Sequence, residues 1–423
     1  METACLARRR IAANIGGGRE VQEISRGDRP VAPTTIPRMI PTMSPQDFSR
    51  APRLPGTTAH PFDALVRLAD LIESLPAPIF AALLFALALA PTLGDLPRAL
   101  GLLLFLLGDW WLIARLPRAG KSFGPAKPPT LALALLRAPF AALPLPLAAL
   151  AQLIGSALVV YAFWIEPQRV HLTRQSLQSP KLPRGAPPLR VLHLSDLHVE
   201  RITARERQLV ARARELAPDA ILFSGDFLNL SNIHDPVAWE DARAILRELR
   251  APLGVYVVTG SPPVDQPGII APLLAGLDHI RWLRDERVTL DHAGQRIDLI
   301  GITCTHDPEK DGAALDETLR VHGDPDDFTI LLYHTPDLAP VAAAQGVDLQ
   351  LSGHTHGGQV RLPFFGALFT SSLYGKKFEA GRYQVDALTL YVSRGIGMEG
   401  KGAPRARFLC PPEIVLWEIR ADR

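Results

Sequence analysis

The chain has 423 residues, enough for two or three structural units and a full enzyme core. Its formal charge of +2 gives no electrostatic case for nucleic acid, and its three cysteines form no CxxC pair, so neither a disulfide framework nor a zinc knuckle is indicated. Hydrophobic residues make up 47% of a chain that also has a long polar head, so the apolar excess must be concentrated elsewhere.

Residues 1–60 combine Arg8-Arg9-Arg10, Gly16-Gly17-Gly18 and scattered prolines with little apolar periodicity, which reads as a disordered basic segment. No apolar stretch of signal-peptide type follows the arginines.

Residues 61–170 read as a membrane region of three or four helices. Pro61 to Leu75 has the spacing of a short amphipathic helix, with Leu65, Leu68, Leu71 and Ile72 on one side. Leu75–Leu93 and Ala138–Ile165 carry no charge, and Ala99–Ala114 carries only Asp109. A crossing needs about 20 apolar residues, so the first and last stretches are long enough and the middle one is marginal. Trp110, Trp111, Tyr161 and Trp164 fall near the stretch ends, as interfacial aromatics do. Asp109 is expected to face other helices or the interface near Trp110 rather than to act in transport, since a lone carboxylate gives little support to a channel or pump. The basic loop with Arg115, Arg118, Lys121 and Lys127 belongs on the cytoplasmic side with the head. Three spans then put the C-terminal domain outside. A tight hairpin over Ala138–Ile165, which contains Pro139, Pro144 and Pro146, returns it to the cytoplasm, and both topologies stay open.

Residues 171–188, proline-rich from Lys181, read as a linker. From Leu189 to Arg423 the pattern is that of an α/β domain. Strands are expected at Leu189–Leu194, Ala220–Phe223, Gly254–Thr259, Ile297–Ile302, Thr329–Leu332, Leu349–Leu351, Leu388–Ser393 and Ile414–Ile419. Helices are expected near Ala204–Leu216 and Val237–Leu249.

Several of these strands end in ligand-type residues. Asp196 and His198 follow the first, and two residues apart in extended chain they point the same way. Gly225-Asp226 closes the second, and His334 ends Leu331-Leu-Tyr-His334. The most specific segment is Ser352-Gly-His354-Thr-His356-Gly-Gly358, where two imidazoles framed by glycines can reach two adjacent ions. Taken alone, the Asp-x-His and Gly-Asp segments read as ordinary turns; together the segments supply carboxylates and imidazoles suited to zinc, manganese or iron. Two such ions about 3.5–4 Å apart clamp a phosphoryl group and activate water.

This order of segments resembles the calcineurin-like metallophosphoesterase superfamily over Leu189 to Arg420. The endings Tyr391-Val-Ser-Arg-Gly395-Ile-Gly397 and Pro411-Pro-Glu-Ile-Val-Leu416 resemble its membrane-associated bacterial branch, which includes transmembrane metallophosphoesterases and enzymes cleaving the pyrophosphate of UDP-diacylglucosamine. The resemblance implies a four-layer α/β sandwich, two mixed β-sheets flanked by helices, preceded here by an α-helical transmembrane region. It implies two divalent metal ions: Asp196, His198 and His356 on the first, Asp226 bridging, and His334 and His354 on the second. It further implies a multi-pass protein of the bacterial cell membrane whose partners are the bilayer and a phosphorylated small-molecule or lipid substrate, with no nucleic acid.

The family also keeps Gly-Asn-His-Asp/Glu after its third strand, where the Asn binds the second metal and the His serves the leaving oxygen. Here Gly260 is retained, but Ser261 replaces the Asn and Pro262 the His. Asp265, His306 and His234 are candidates to fill the gap, each with the plainer reading of an ordinary loop residue; His193 and His292 read as core or surface histidines. The expected function is a membrane-anchored phosphohydrolase acting on a phosphodiester or pyrophosphate. The alternative is a catalytically impaired metal- or phosphate-binding protein at the membrane.

Overall fold

The computed structural model describes residues 61–320 and 326–422, and the basic segment expected over residues 1–60 lies outside them. Five helices come first: α1 (Pro61–Ser74), α2 (Ala77–Leu89), α3 (Leu96–Ala114), α4 (Lys127–Arg137) and α5 (Leu145–Val160). The lengths revise the sequence reading. The first apolar stretch gives only the 13-residue α2, bent 110° from α1, whereas the middle stretch gives the 19-residue α3. α3 and the continuous run Leu145–Gln168 are long and apolar enough to cross a bilayer, and α1 with α2 could form a third, broken span. Leu68 and Leu71 of the amphipathic α1 face out of the protein, while Ile72 packs on the helical core, so its apolar stripe is only partly spent there.

Between α4 and α5 the chain doubles back at Leu143–Pro144, so that Gln152 Nε2 donates to the Arg137 carbonyl. Asp109 faces a neighbouring helix, where it meets Arg137 at the end of α4. Its Oδ1 accepts from Arg137 Nη2 at 2.9 Å and its Oδ2 lies 2.8 Å from Arg137 Nε as an ion pair, and both side chains are buried. Arg137 lies just outside the uncharged stretch, at the end of α4, and the packing of α4 against α3 brings it to Asp109.

The α/β domain continues with β1 (His171–Ser179), β2 (Leu189–Leu194), α6 (Ala204–Leu216), β3 (Ala220–Phe223), α7 (Pro236–Glu248), β4 (Val255–Val257), α8 (Pro267–Leu274) and β5 (Ile280–Trp282). Then come β6 (Glu286–His292), β7 (Gln295–Gly301), α9 (Pro308–Arg320), β8 (Phe328–Leu332), α10 (Ala339–Ala344) and β9 (Leu349–Ser352). The short hairpin β10 (Arg361–Leu362) and β11 (Gly366–Ala367), then β12 (Gly381–Val385), β13 (Leu388–Val392) and β14 (Glu413–Ala421), complete it. Local signals set several boundaries. At α6 the N-cap Thr203 accepts from Arg205 N, while Glu206 reaches back to Thr203 N at 2.7 Å, a capping box.

Two six-stranded sheets form, in the orders β1-β14-β2-β3-β4-β5 and β12-β13-β9-β8-β7-β6. Both mix parallel and antiparallel pairs. Side chains alternate along each strand. Val191 and Leu222 therefore point into the space between the sheets to meet Leu299, Ile330 and Leu351, while Leu192 and Ile221 point outward onto α6 and α7. On the far side Leu331, Leu390 and Val392 pack against α9 and α10. The result is helices, sheet, sheet, helices. Each fully buried Leu or Ile in these layers contributes about 1.5–3 kcal/mol. The first strand lies within the segment read as a linker: β1 runs parallel to β14, so the edge of the first sheet begins directly after the apolar helices.

The helical region is fastened to this domain. Glu200 receives Phe123 N at 3.1 Å and Arg405 Nε at 2.8 Å, and Glu166 receives Leu409 N at 2.9 Å.

Candidate metal centre

The loops after β2, β3, β4, β8 and β9 meet at one end of the two sheets. They bring all six candidate ligands together. Asp196, His198 and His356 form one group and Asp226, His334 and His354 a second, each with ligand atoms within 4.8 Å of one another. Asp226 stands between the groups, its Oδ2 3.4 Å from both His198 Nε2 and His334 Nε2. His198 Nε2 and His356 Nε2 are 3.0 Å apart.

The local backbone is not the extended chain that the Asp-x-His spacing suggested. Asp196, His198, Asp226, His354 and His356 all have positive φ, between 40° and 69°. That conformation is unfavourable for residues with a Cβ and persists only where surroundings over-determine it. Close approach does so here. A Cβ on Gly353 would overlap Ser195 Oγ and Asp196 Oδ2, and one on Gly260 would overlap Asp226. Glycine at both positions lets neighbouring loops touch.

Second contacts orient the ligands. Ser224 O accepts from His334 Nδ1 at 2.8 Å, which aims Nε2 at Asp226. His354 N donates to Asp196 Oδ1 at 3.0 Å, and Ser195 Oγ also bonds that carboxylate. Burial alone would raise Asp226, but His334, with its charge and hydrogen bond, and then His198 and His354 hold it well below the usual carboxylate range. Burial would likewise lower His334, but Asp226 raises it to about 9. Burial raises Asp196, opposed chiefly by His334. His354 and His356 are pushed well below the ordinary imidazole range, by burial first and then by neighbouring histidines.

These residues fit a pair of divalent cations. The cluster is buried and crowded with nitrogen and oxygen lone pairs, and the two facing Nε2 atoms of His198 and His356 can share one hydrogen at most. Neutral imidazole and ionised carboxylate are the forms that ligate.

The replaced segment is not idle. Ser261 Oγ lies 3.1 Å from His334 Nε2 and 3.3 Å from both His354 Nδ1 and Asp226 Oδ2, and Ser261 N donates to Asp226 Oδ1 at 2.7 Å. The serine thus reaches the second group directly. Asp265 is turned away from the cluster centre: its Oδ2 accepts from Asp226 N and Gly260 N, both at 2.7 Å, and its Oδ1 from Phe227 N at 3.1 Å. Burial, then the Asp226 charge, raise Asp265 to about 7, against amide donors that favour its ionised form. It braces the two loops. His234 is exposed before α7 and bonds none of the six. His193 is buried against Ser224 Oγ at 3.0 Å.

His306 is the candidate that the fold brings to the cluster, its ring 5.0 Å from that of His354. The residue as a whole is exposed, with its ring beside the His354 imidazole. Desolvation, then the His334 charge, hold it at about 4. Sequence reasoning missed Glu399, whose Oε2 lies 3.8 Å from His356 Nε2. It sits on a loop after Gly397 with no motif around it.

No family model matches the chain. It is 30% identical over 270 residues to an uncharacterized metallophosphoesterase of Bacillus subtilis, YkuE, covering 62% of this chain and 89% of that protein. It is 27% identical over 320 residues to the UDP-2,3-diacylglucosamine pyrophosphatase LpxG of Chlamydia trachomatis, covering 61% and 91%. A transmembrane protein with metallophosphoesterase domain from Bos taurus is 30% identical over 268 residues, covering 60% of this chain and 58% of its own.

Proposed function

This chain belongs to the metallophosphoesterases, and from that premise we propose that it is a membrane-anchored hydrolase of a phosphodiester or pyrophosphate bond in a lipid-linked substrate, of the UDP-diacylglucosamine type. The observation that carries the reading is the position of Asp226 between two ligand groups, 3.4 Å from an imidazole of each. Likeness to a UDP-2,3-diacylglucosamine pyrophosphatase supports the substrate class, and two bilayer-length helices packed on the domain support the anchoring.

Asp196, His198 and His356 would hold one cation, and His334 and His354 the other, with Asp226 shared and Ser261 Oγ in the place of an amide ligand. Bound divalent cations supply charge neutralisation for the transferring phosphoryl group and a nucleophilic water at neutral pH. Pro262 carries no proton to give. His306 stands at the rim beside the second group, and as a neutral imidazole it donates a hydrogen bond to the leaving or bridging oxygen. A pyrophosphate leaving group needs little protonation, so this chemistry suits it better than an alkyl ester.

The test is hydrolysis by the full chain in detergent with Mn²⁺, on bis-p-nitrophenyl phosphate and on a nucleotide-lipid pyrophosphate. Turnover of both is expected. No turnover above a His356→Ala control overturns the reading. In that case fewer than two tightly held ions per chain would favour the impaired metal- or phosphate-binding protein that Ser261-Pro262 motivates.

A further inference from the structure

The segment that leaves the candidate metal centre becomes an apolar hairpin. Immediately after Gly358, β10 and β11 pair, and the chain then runs through Leu368 to Tyr374. Its base is tied to the ligand loop: Arg361 Nη1 donates to Gly357 O at 3.0 Å and Ser371 Oγ to His354 O at 2.9 Å. Its tip is apolar and uncovered. Phe364 is fully exposed, Leu373 is 70% exposed and Phe369 66%. One or two such side chains on a surface would be ordinary, but this many in a short segment mark an interaction site.

The hairpin lies beside the membrane helices. Arg361 N donates to Phe408 O at 2.9 Å, and the Phe408 ring meets Tyr161 at 5.9 Å, where α5 ends. Exposed Leu158 and Ile165 on that run lead to exposed Leu409, whose N–H is held by Glu166, and from there to the hairpin. A shallow cleft of about 410 Å³ joins Leu409 to Arg361, Phe364, Phe365 and Glu379. Lys376 Nζ sits 4.2 Å over the Phe365 ring and Lys377 Nζ 5.6 Å over Tyr374. Aromatic rings with ammonium groups above an apolar tip match the headgroup level of an anionic leaflet.

We propose that the hairpin over residues 361–374 dips its tip into the bilayer surface next to α5, so that a lipid-linked phosphoester reaches the metal centre without leaving the interface. This rests on the membrane-anchored reading above and adds the route by which the substrate enters. Without such a contact, more than three large apolar side chains would stay in water beside a bilayer that offers about 25 cal/mol for each Å² they bury.

The experiment uses the full chain in vesicles of phosphatidylcholine and phosphatidylglycerol. A Cys5→Ser background carries an environment-sensitive fluorophore on Phe364→Cys, on Leu373→Cys in case the first variant does not fold, or on Leu150→Cys of α5. Doxyl groups on the acyl chains should quench the hairpin label to at least half the extent seen at position 150, and aqueous iodide should leave it largely unquenched. Quenching at position 150 with iodide quenching at position 364 or 373 overturns the inference and spares the anchoring. A hairpin label shielded from both quenchers means that protein covers the tip, and overturns it too. No doxyl quenching at position 150 overturns the anchoring and the inference together.

Discussion

His198 Nε2 and His356 Nε2 face each other across 3.0 Å, although they are 158 residues apart in the chain. Two buried imidazole nitrogens at that distance repel unless a proton or a cation lies between their lone pairs. Manganese added to metal-free protein is therefore expected to raise the melting temperature. At a concentration 100 times the dissociation constant the gain is about 2.7 kcal/mol. His356→Ala should abolish most of the rise in a thermal melt of the full chain in detergent. An equal rise in the variant refutes the assignment of that group.

Ser261 Oγ reaches both imidazoles of the second group but offers a hydroxyl where the family has an amide. Ser261→Asn is expected to strengthen the second ion, seen as a lower manganese concentration for half-maximal activity. Ser261→Ala should weaken it. Identical metal titrations for all three proteins would show that position 261 does not ligate.

Removing the rim imidazole by His306→Ala should lower kcat on an alkyl phosphodiester by about 10²-fold, the usual cost of one donor aimed at developing charge. The loss should shrink for a pyrophosphate or a p-nitrophenyl leaving group. A loss that is the same for good and poor leaving groups would remove His306 from the chemistry.

The Asp109–Arg137 pair predicts an asymmetric double-mutant cycle. Asp109→Asn strands a buried guanidinium and should destabilise by about 3–5 kcal/mol, whereas replacing both with apolar residues should recover much of that. Thermal melts of the full chain in detergent measure it. Near-neutral single variants would contradict the burial of both groups.

His193 is held neutral in the core, its imidazole pushed down to about 3 by burial. A base whose folded pKa is depressed binds more protons when unfolded. Its contribution is complete above about 6.5 and is lost as pH falls from there toward 3, at about 1.4 kcal/mol per pH unit. His193→Gln should flatten this acid limb of the stability curve relative to the unaltered protein. Parallel curves between pH 6.5 and 4 would rule the histidine out as the cause.

Much of this protein is written locally. Apolar runs such as Val191–Leu194 and Ala220–Phe223 fix strands by composition alone, and Asp196, Asp226, His334 and His354 each stand where such a run stops. Strand ends gather at one edge of a sheet, so the meeting of the candidate ligand segments was legible in the sequence. What only the tertiary structure decided depends on residues remote in sequence. Arg137 neutralises Asp109 because α4 packs against α3, and polar-looking β1 is a strand because β14 offers it an edge. Asp265 is turned onto three amides while His306 is brought to His354, a distinction that no spacing in the loops encodes. Patterns report which face a residue presents. Partners are chosen by the packing of whole layers, and that is a property of the folded chain.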